Sequence, residues 1–137
     1  MRFMMFMIPE GYQAVEAGTT PSLDSIAEMR MYNENLQKAG VLLALDGIHP
    51  PSMGARVSFT GGKPAITDGP FTEAKEAIGG YWIIQVKTRE EALEWASRCP
   101  AKPGDVIEVR PFMEFSDFPP DVQRAMANLP AIEGEER

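Results

Sequence analysis

Residues 80–95 are Gly-Tyr-Trp-Ile-Ile-Gln-Val-Lys-Thr-Arg-Glu-Glu-Ala-Leu-Glu-Trp, a strand signal directly followed by a helix signal. The first part of this stretch is mostly aromatic and β-branched, which is typical of a buried strand. Thr88 with Glu91 three positions later is the pattern of a capping box at a helix N-terminus. The stretch therefore predicts a strand over residues 80–86 and then a helix that ends at Pro100. The apolar face of that helix is predicted to hold Ala92, Leu93, Ala96 and Cys99.

The N-terminal part of the chain repeats this order of strand and helix. Residues 1–8 (MRFMMFMI) form an apolar run that Pro9 ends, and they predict a strand with apolar contacts on both faces. Thr20 and Pro21 then resemble an N-cap and a first helical residue, so a helix is predicted over residues 21–39, with Gly40 as its end. Its apolar face is predicted to hold Ile26, Met29, Leu36 and Ala39, with Tyr32 or Asn33 between them.

The remaining apolar segments predict one hairpin and two further strands. Residues 56–60 and 63–67 flank the pair Gly61-Gly62, which predicts a β-hairpin with a glycine turn. Residues 41–45 and 106–111 predict strands, and in the latter Ile107 and Val109 share one face.

Without the hairpin, the order is strand–helix–strand–strand–helix–strand. This order predicts an α+β fold with the split βαβ sheet of the ferredoxin-like class and an inserted hairpin. Both helices then lie on one face of the sheet, while the apolar strands need cover on both faces. A second subunit's sheet is the simplest cover, so we expect a homodimer packed sheet to sheet, a dimeric α/β-barrel-like assembly.

The chain of 137 residues is short enough for one domain. The domain is predicted to cover residues 1–115. A C-terminal extension, residues 116–137, is predicted to contain a short helix over 121–129 and an acidic tail over 131–137.

The composition excludes several function classes. A net charge of −7 argues against a nucleic-acid partner, because such a partner needs phosphate-neutralising side chains. No apolar run approaches the roughly 20 residues of a membrane span, so no membrane partner is expected. One cysteine and one histidine supply too few ligands for a metal centre within one subunit, and no cofactor is predicted. The single cysteine, Cys99, suits a reducing cytoplasm and is interpreted as a packing residue of the second helix.

His49 is the only side chain with an unperturbed pKa near neutrality, which makes it the default proton carrier. It lies in a Gly-x-His-Pro turn after a predicted strand, where functional groups commonly project. Asp46 and Asp68 are both candidates to orient its imidazole, although the spacing does not bring either within reach. A loop histidine that only caps or packs is an equally open interpretation.

The stretch Asp68-Gly-Pro-Phe71 predicts a well-defined turn. Asp68 is expected to accept buried backbone N–H groups, Gly69 to supply a positive φ, and Pro70 to restrict the next dihedral angle. On this interpretation Asp68 acts mainly in folding.

Several motifs together resemble the DGPF subgroup of the YCII-related proteins, over residues 2 to 111. They are Gly47-Ile-His-Pro-Pro-Ser52, Gly54-Ala-Arg-Val57, Thr67-Asp-Gly-Pro-Phe-Thr-Glu-Ala-Lys-Glu76, Gly80-Tyr-Trp82, Glu91-Ala-Leu-Glu-Trp95 and Ile107-Glu-Val-Arg-Pro111. The resemblance implies a dimeric ferredoxin-like fold and a regulatory link to alternative sigma factors. One branch of the wider family has a proposed catalytic histidine in its first helix. This chain has Met29, Tyr32 and Asn33 there, so that proposal does not transfer.

Three functions follow as hypotheses. The first is an enzyme for acid–base chemistry on a small anionic substrate, with His49 as proton carrier and Asp68 or Glu73 as its orienting carboxylate. Its substrate-binding residues are predicted to be Arg56, Lys75 and Tyr81.

The second hypothesis is a ligand-sensing or protein-binding module without catalysis, with a sigma-factor-related protein as partner. The third is a dimeric scaffold without a ligand. A pocket that holds His49 beside a carboxylate favours the enzyme, whereas an exposed His49 favours the binding module.

Overall fold

The computed structural model describes residues 1–130, so the acidic tail predicted over 131–137 lies outside the described residues. Six strands and three α-helices follow one another along the chain. They are β1 (Arg2–Ile8), α1 (Leu23–Lys38), β2 (Leu42–Gly47), β3 (Ala55–Thr60), β4 (Lys63–Asp68), β5 (Gly80–Gln85), α2 (Arg89–Ser97), β6 (Val106–Pro111) and α3 (Pro120–Ala127).

Four strands form one antiparallel sheet in the order β2-β5-β1-β6, and β3 and β4 form a separate two-stranded sheet. The helix α1 connects β1 to β2, and α2 connects β5 to β6. This is the strand order of a ferredoxin-like sheet with an inserted hairpin, so the predicted α+β class is confirmed.

Both ends of α1 have local chemical causes. Ser22 is the N-cap, and its hydroxyl accepts the backbone N–H of Ser25 at 3.2 Å, so the helix begins two residues after the predicted Thr20 cap. At the other end Gly40 has a φ of 73°. The backbone N–H of Gly40 donates to the Gln37 carbonyl, and the backbone N–H of Val41 donates to the Leu36 carbonyl. These two hydrogen bonds define a Schellman motif.

The cap of α2 is half of the expected capping box. The Thr88 hydroxyl accepts the Glu91 N–H at 3.1 Å. The Glu91 carboxylate accepts the N–H of Lys87, not that of Thr88, also at 3.1 Å.

The core lies between the sheet and the two helices α1 and α2. Phe3 and Met5 of β1 and Trp82 and Ile84 of β5 are buried on this side. They pack against α1 and α2, chiefly against Tyr32, Leu36 and Ala92. Burial of one large apolar side chain stabilises the fold by about 1.5–3 kcal/mol, so this layer supplies most of the driving force.

Polar groups at the edge of the core have partners. The Trp82 indole N–H donates to Asn33 Oδ1 at 2.8 Å, and the Tyr32 hydroxyl donates to the Trp95 carbonyl at 2.7 Å. Three residues of the predicted apolar faces are exposed: Ile26 on α1 is 48% exposed, Leu93 on α2 is 36% exposed, and Ala39 is exposed at the C-cap of α1. Asn33, which was predicted as an alternative to Tyr32 on this face of α1, contacts the buried Trp82, and Trp95 packs against the core although it was not predicted there.

The opposite side of the sheet is called here the outer face, and its centre consists of Met4, Phe6, Ala44 and Ile83. The strand register alternates these side chains with the buried ones, because Phe6 pairs with Tyr81 and Met4 pairs with Ile83. All four are partly exposed. The expected placement of α1 and α2 on one side of the sheet is therefore confirmed.

The hairpin β3–β4 projects from the domain with all twelve of its strand residues exposed. Gly61 and Gly62 have φ angles of 62° and 80°, and both angles match the two-residue turn that suits a twisted hairpin.

Candidate functional site

The loops that follow β1 and β2 and those that precede β5 and β6 meet at one end of the four-stranded sheet, called here the loop end. The Gly79 N–H donates to the Met7 carbonyl at 2.8 Å, and the Ile48 N–H donates to the Gly79 carbonyl at 2.9 Å. A Cβ at Gly80 would lie 2.9 Å from the Asp46 carbonyl oxygen, so only glycine lets β2 and β5 approach this closely. These backbone contacts hold the loop end together.

A solvent-accessible cleft of about 430 Å³ lies at the loop end. Ile8 and Val106, which are register partners on β1 and β6, line the cleft. Its sides are formed by the loop after β1, the loop before β5 and the loop before β6. The lining residues there are Pro9, Glu10, Gly11, Gln13, Lys75, Glu76 and Gly104.

The Gln13 side chain gives the cleft an unsatisfied polar atom. Its Oε1 is buried and has no hydrogen-bond partner among the described residues. A buried acceptor without a partner costs about 1–3 kcal/mol, and native proteins usually satisfy such atoms. Gln13 is therefore a polar residue of the cleft lining whose side-chain carbonyl has an unused hydrogen-bonding capacity.

Asp105 joins two of the loops that enclose the cleft. One of its carboxylate oxygens accepts the Glu10 N–H and the other accepts the Lys102 N–H, each at 2.9 Å. A Cβ at Gly104 would lie 2.0 Å from Glu10 Oε2, so the Glu10 carboxylate lies directly against the glycine backbone. The cleft thus combines a positioned carboxylate with the ammonium group of Lys75.

His49 lies in a turn that is anchored on both sides of it. The Tyr12 hydroxyl donates to the Ile48 carbonyl, the Ser52 hydroxyl donates to the Val15 carbonyl at 2.9 Å, and Pro50 is buried. The imidazole of His49 is exposed and makes no hydrogen bond to any residue from 1 to 130. It is not one of the side chains that line the cleft.

Tyr81 forms a pair with Asp46. Its hydroxyl donates to Asp46 Oδ2 at 3.2 Å across β5 and β2, where the two residues are register partners. The hydrogen bond to Asp46 raises the pKa of Tyr81, because it stabilises the protonated phenol. Sequence reasoning considered Asp46, like Asp68, as a possible partner of His49. The strand register, which is not evident from spacing, assigns it to Tyr81.

The turn after β4 is built differently from the prediction. The Asp68 side chain is exposed and, within residues 1–130, accepts no hydrogen bond. The turn is closed instead by the Gly69 N–H, which donates to the Gly54 carbonyl at 2.8 Å. Gly69 does not adopt a positive φ. Glycine is needed because a Cβ there would lie 1.7 Å from the Pro51 carbonyl oxygen.

The other predicted site residues are dispersed. The Arg56 guanidinium lies 4.0 Å from the centre of the Phe71 ring, a cation–π contact. Glu73 is exposed in the loop after the hairpin. Of the six predicted site residues, all within the described part of the chain, only Lys75 lines the cleft. Sequence reasoning missed Glu10 and Gln13. The only sequence feature that points to them is their position in the loop after a strand that ends at a proline.

Cys99 has the properties of a packing residue. Burial raises the pKa of its thiol to about 11, with a further contribution from the negative charge of Asp105. A thiol with this pKa is protonated at neutral pH and is a poor nucleophile.

Residues 1–130 contain no group of three or more His, Cys, Asp or Glu side chains that could hold a metal ion. No helix among them is both long enough and apolar enough to cross a membrane.

The strand order, the two crossover helices and the polar cleft define a small ferredoxin-like α+β protein with its candidate site at the loop end of the sheet. The chain belongs to the YCII-related family, since the model of the YCII-related domain matches residues 1–116. An uncharacterized protein of Rhizobium meliloti (strain 1021) is 33% identical over 73 residues, which are 53% of this chain and 56% of that protein. The chain thus spans little more than half the length of this curated relative.

Proposed function

We propose that this protein is a binding module for a small polar molecule, which it holds in the cleft at the loop end of the sheet. The observation that carries this proposal is the buried and unpaired Gln13 Oε1 beside charged groups of both signs. Clefts that combine apolar surface with a few convergent polar groups are the usual binding sites of small molecules.

The lining residues favour a ligand with both charges. Gln13 Oε1 accepts a hydrogen bond from an N–H or O–H group of the ligand. Lys75 provides a cation for an anionic group, and Glu10 and Glu76 provide anions for an ammonium group. A small zwitterion, such as a free amino acid, satisfies all of these groups at once.

Acid–base catalysis is the second candidate, and the Tyr81–Asp46 pair favours it. The Tyr81 hydroxyl and the Asp46 carboxylate are already hydrogen-bonded, and His49 follows Asp46 by three positions in the turn after β2. A hydrogen-bonded phenol and carboxylate can transfer a proton to or from a bound substrate. The exposed His49, without a carboxylate partner, ranks this function below the binding module.

The expected homodimer stays a proposal, and it is compatible with either function. The apolar centre of the outer face lies opposite to α1 and α2, and the same face of a second copy would cover it in a barrel-like assembly. Membership of the DGPF subgroup, a cytoplasmic location and a sigma-factor-related partner stay predictions.

A nuclear magnetic resonance titration tests the proposed site. The probes are glycine as a zwitterion, acetate as its anionic part and methylammonium as its cationic part. We expect glycine to shift the side-chain amide of Gln13 and the backbone amides of Gly11 and Gly104 in a saturable manner, and the two single-charge probes to bind at least tenfold more weakly.

Two lysine variants provide the matched control. Lys75→Met should weaken glycine binding about tenfold or more, because it removes the cation of the cleft. Lys63→Met, at the exposed turn of the hairpin, should leave binding unchanged. Equal effects of the two variants, or shifts that avoid the cleft, would refute the proposed site.

A further inference from the structure

The Glu10 side chain at the edge of the cleft is held in place from two sides. Its backbone N–H donates to Asp105 Oδ1 at 2.9 Å. The register pairs Ile8 with Val106, and Glu10 and Gly104 lie two residues beyond these strand ends, opposite each other. The Glu10 carboxylate lies where a side chain at position 104 would be, since a Cβ there would come within 2.0 Å of Oε2. Both the backbone and the carboxylate of Glu10 therefore have a defined position.

This positioned carboxylate has no partner within residues 1–130. It accepts no hydrogen bond from these residues and forms no ion pair with any of their lysine or arginine side chains. An ionised carboxylate can accept about four hydrogen bonds through its two oxygens. Because Glu10 lines the cleft, this capacity is open to a ligand there.

Glu76, the other carboxylate of the cleft lining, lies on a segment with fewer constraints. Residues 75–78 make no backbone hydrogen bond within residues 1–130, whereas the Glu10 N–H is bonded to Asp105. A group that is already in position loses less conformational entropy when it contacts a ligand. The difference favours Glu10 over Glu76 as the partner of a ligand's ammonium group.

The lining of the cleft also limits the kind of ammonium group. None of the described residues that line it is aromatic. Quaternary ammonium groups have no N–H donor, and proteins recognise them through the faces of aromatic rings. A carboxylate instead accepts N–H groups, and such charge-assisted hydrogen bonds are among the strongest in proteins. The cleft is therefore suited to an ammonium group that carries N–H donors.

We propose that Glu10 selects ligands with a primary ammonium group over quaternary ones, and that Asp105 is the positioning residue that holds Glu10 for this contact. This proposal rests on the proposed binding function, and it adds the residue that determines specificity. Asp105 does not line the cleft, so it acts through Glu10. Lys75, on the opposite loop, then binds the anionic end of the ligand.

Nuclear magnetic resonance titrations with glycine and with trimethylglycine test the selectivity. The two probes have the same charges, but only glycine has N–H donors. We expect trimethylglycine to bind the wild-type chain about tenfold more weakly, because it lacks the charge-assisted hydrogen bond. In Glu10→Gln this preference should fall below about threefold. Equal binding of both probes to the wild type, or a preference that persists in Glu10→Gln and thus reflects size alone, would overturn the proposal.

Carboxylate variants then identify the partner of the ammonium group. Glu10→Gln should weaken glycine binding about tenfold, and Glu76→Gln should weaken it less than about threefold. Glu16→Gln is the matched control, since it removes the same charge from an exposed position of the same loop as Glu10, outside the cleft lining, and it should leave glycine binding unchanged. Equal losses in Glu10→Gln and Glu76→Gln would overturn the role of Glu10.

Asp105→Asn tests the positioning role. Both oxygens of Asp105 accept a backbone N–H, and asparagine retains only one acceptor oxygen. We expect glycine binding to weaken about fivefold or more, while acetate, which lacks an ammonium group, binds as before. A merely structural role would weaken both probes equally and would overturn the proposal.

Asp117→Asn is the control for Asp105→Asn. Asp117 also accepts a backbone N–H, that of Glu114 at 2.7 Å, but it does not line the cleft, so the variant should leave the binding of both probes unchanged. The failure of the proposed function is distinguishable from the failure of this proposal. If glycine causes no saturable shifts at the cleft of the wild-type chain, the binding function itself is wrong.

Discussion

The four-stranded sheet and the hairpin β3–β4 both consist of short antiparallel strands and have different surroundings. Strand β5 and strand β3 are each six residues long, yet Trp82 and Ile84 of β5 are buried, whereas every residue of β3 is exposed. Helices α1 and α2 cover one face of the sheet, and no comparable layer covers the hairpin within residues 1–130. A continuous apolar run makes the strand β5 and an alternating pattern makes the strand β3, but tertiary packing decides which strand is part of the core.

Among the variants that test this comparison, Trp82→Ala is expected to have the largest effect. We expect the free energy of unfolding to fall by about 3–5 kcal/mol, because the substitution leaves a cavity beside Tyr32 and removes the hydrogen bond to Asn33. Urea denaturation at a protein concentration that keeps the chain monomeric measures it. Phe59→Ala in the hairpin is the control and should change the stability by no more than about 0.5 kcal/mol. Similar losses for both would show that the hairpin belongs to the core.

The second test concerns the junction of the hairpin with the domain. Gly69→Ala should destabilise the fold by about 1–3 kcal/mol, because its Cβ would lie 1.7 Å from the Pro51 carbonyl oxygen. Gly54→Ala is the matched control, since its Cβ would have an ordinary contact of 3.6 Å with the same oxygen. Thermal unfolding of the two variants should separate them, and equal melting temperatures would contradict a tight junction.

A smaller effect is expected at the edge of the sheet. The Arg2 guanidinium donates to both oxygens of Glu114, at 2.8 and 3.0 Å, and this hydrogen bonding lowers the pKa of Glu114. The pair is about one-third exposed, and exposed pairs contribute only about 0.2–1 kcal/mol.

The sign of its pH dependence follows from the direction of that shift. Because the folded pKa of Glu114 is lowered, the stabilisation is complete above the unfolded pKa of about 4.5 and disappears as the pH falls through the folded value. Glu114→Gln should therefore be less stable than the wild type at pH 7, with a difference that shrinks below about pH 4.5. Glu34→Gln, in the exposed pair with Arg30, should show a smaller difference, and a pH-independent loss in Glu114→Gln would contradict this role.

The smallest effect is expected for Asp68→Ala. The Asp68 side chain is exposed at the end of β4, and the turn after it is held by Gly69, so stability should change by no more than about 0.5 kcal/mol. Thermal unfolding beside Gly69→Ala provides the comparison. A loss above 1 kcal/mol would restore the earlier expectation that Asp68 accepts buried backbone donors.

Elements with a local cause were predicted well from the sequence. The strand β6 has the predicted bounds, and the two-glycine turn of the hairpin lies at the predicted position. Gly40 ends α1 as expected, because a left-handed residue at a helix end needs glycine, whatever surrounds it. The start of α1 was two residues early, since both Thr20 and Ser22 are suitable N-caps and only the final backbone path selects one.

The candidate site could be predicted only in part, because its members come from separate loops. Lys75 was predicted as a binding residue and lines the cleft, but Glu10 and Gln13 were not predicted. Asp46 was considered for His49, while the register gives it to Tyr81. Such contacts span many residues along the chain, and neither periodicity nor turn chemistry specifies them.

The sequence by itself determined the type and order of the elements and their arrangement as a ferredoxin-like sheet with an inserted hairpin. These follow from period, capping residues and glycine positions, which act over a few neighbouring residues. Only the tertiary structure decided that Gln13 has a buried, unpaired carbonyl, that His49 is exposed, and that the hairpin lies outside the core. The physical reason is that burial and hydrogen bonding depend on which distant parts of the chain come into contact. The free energies of burial and of hydrogen bonding are therefore set by the packed chain and not by neighbouring residues.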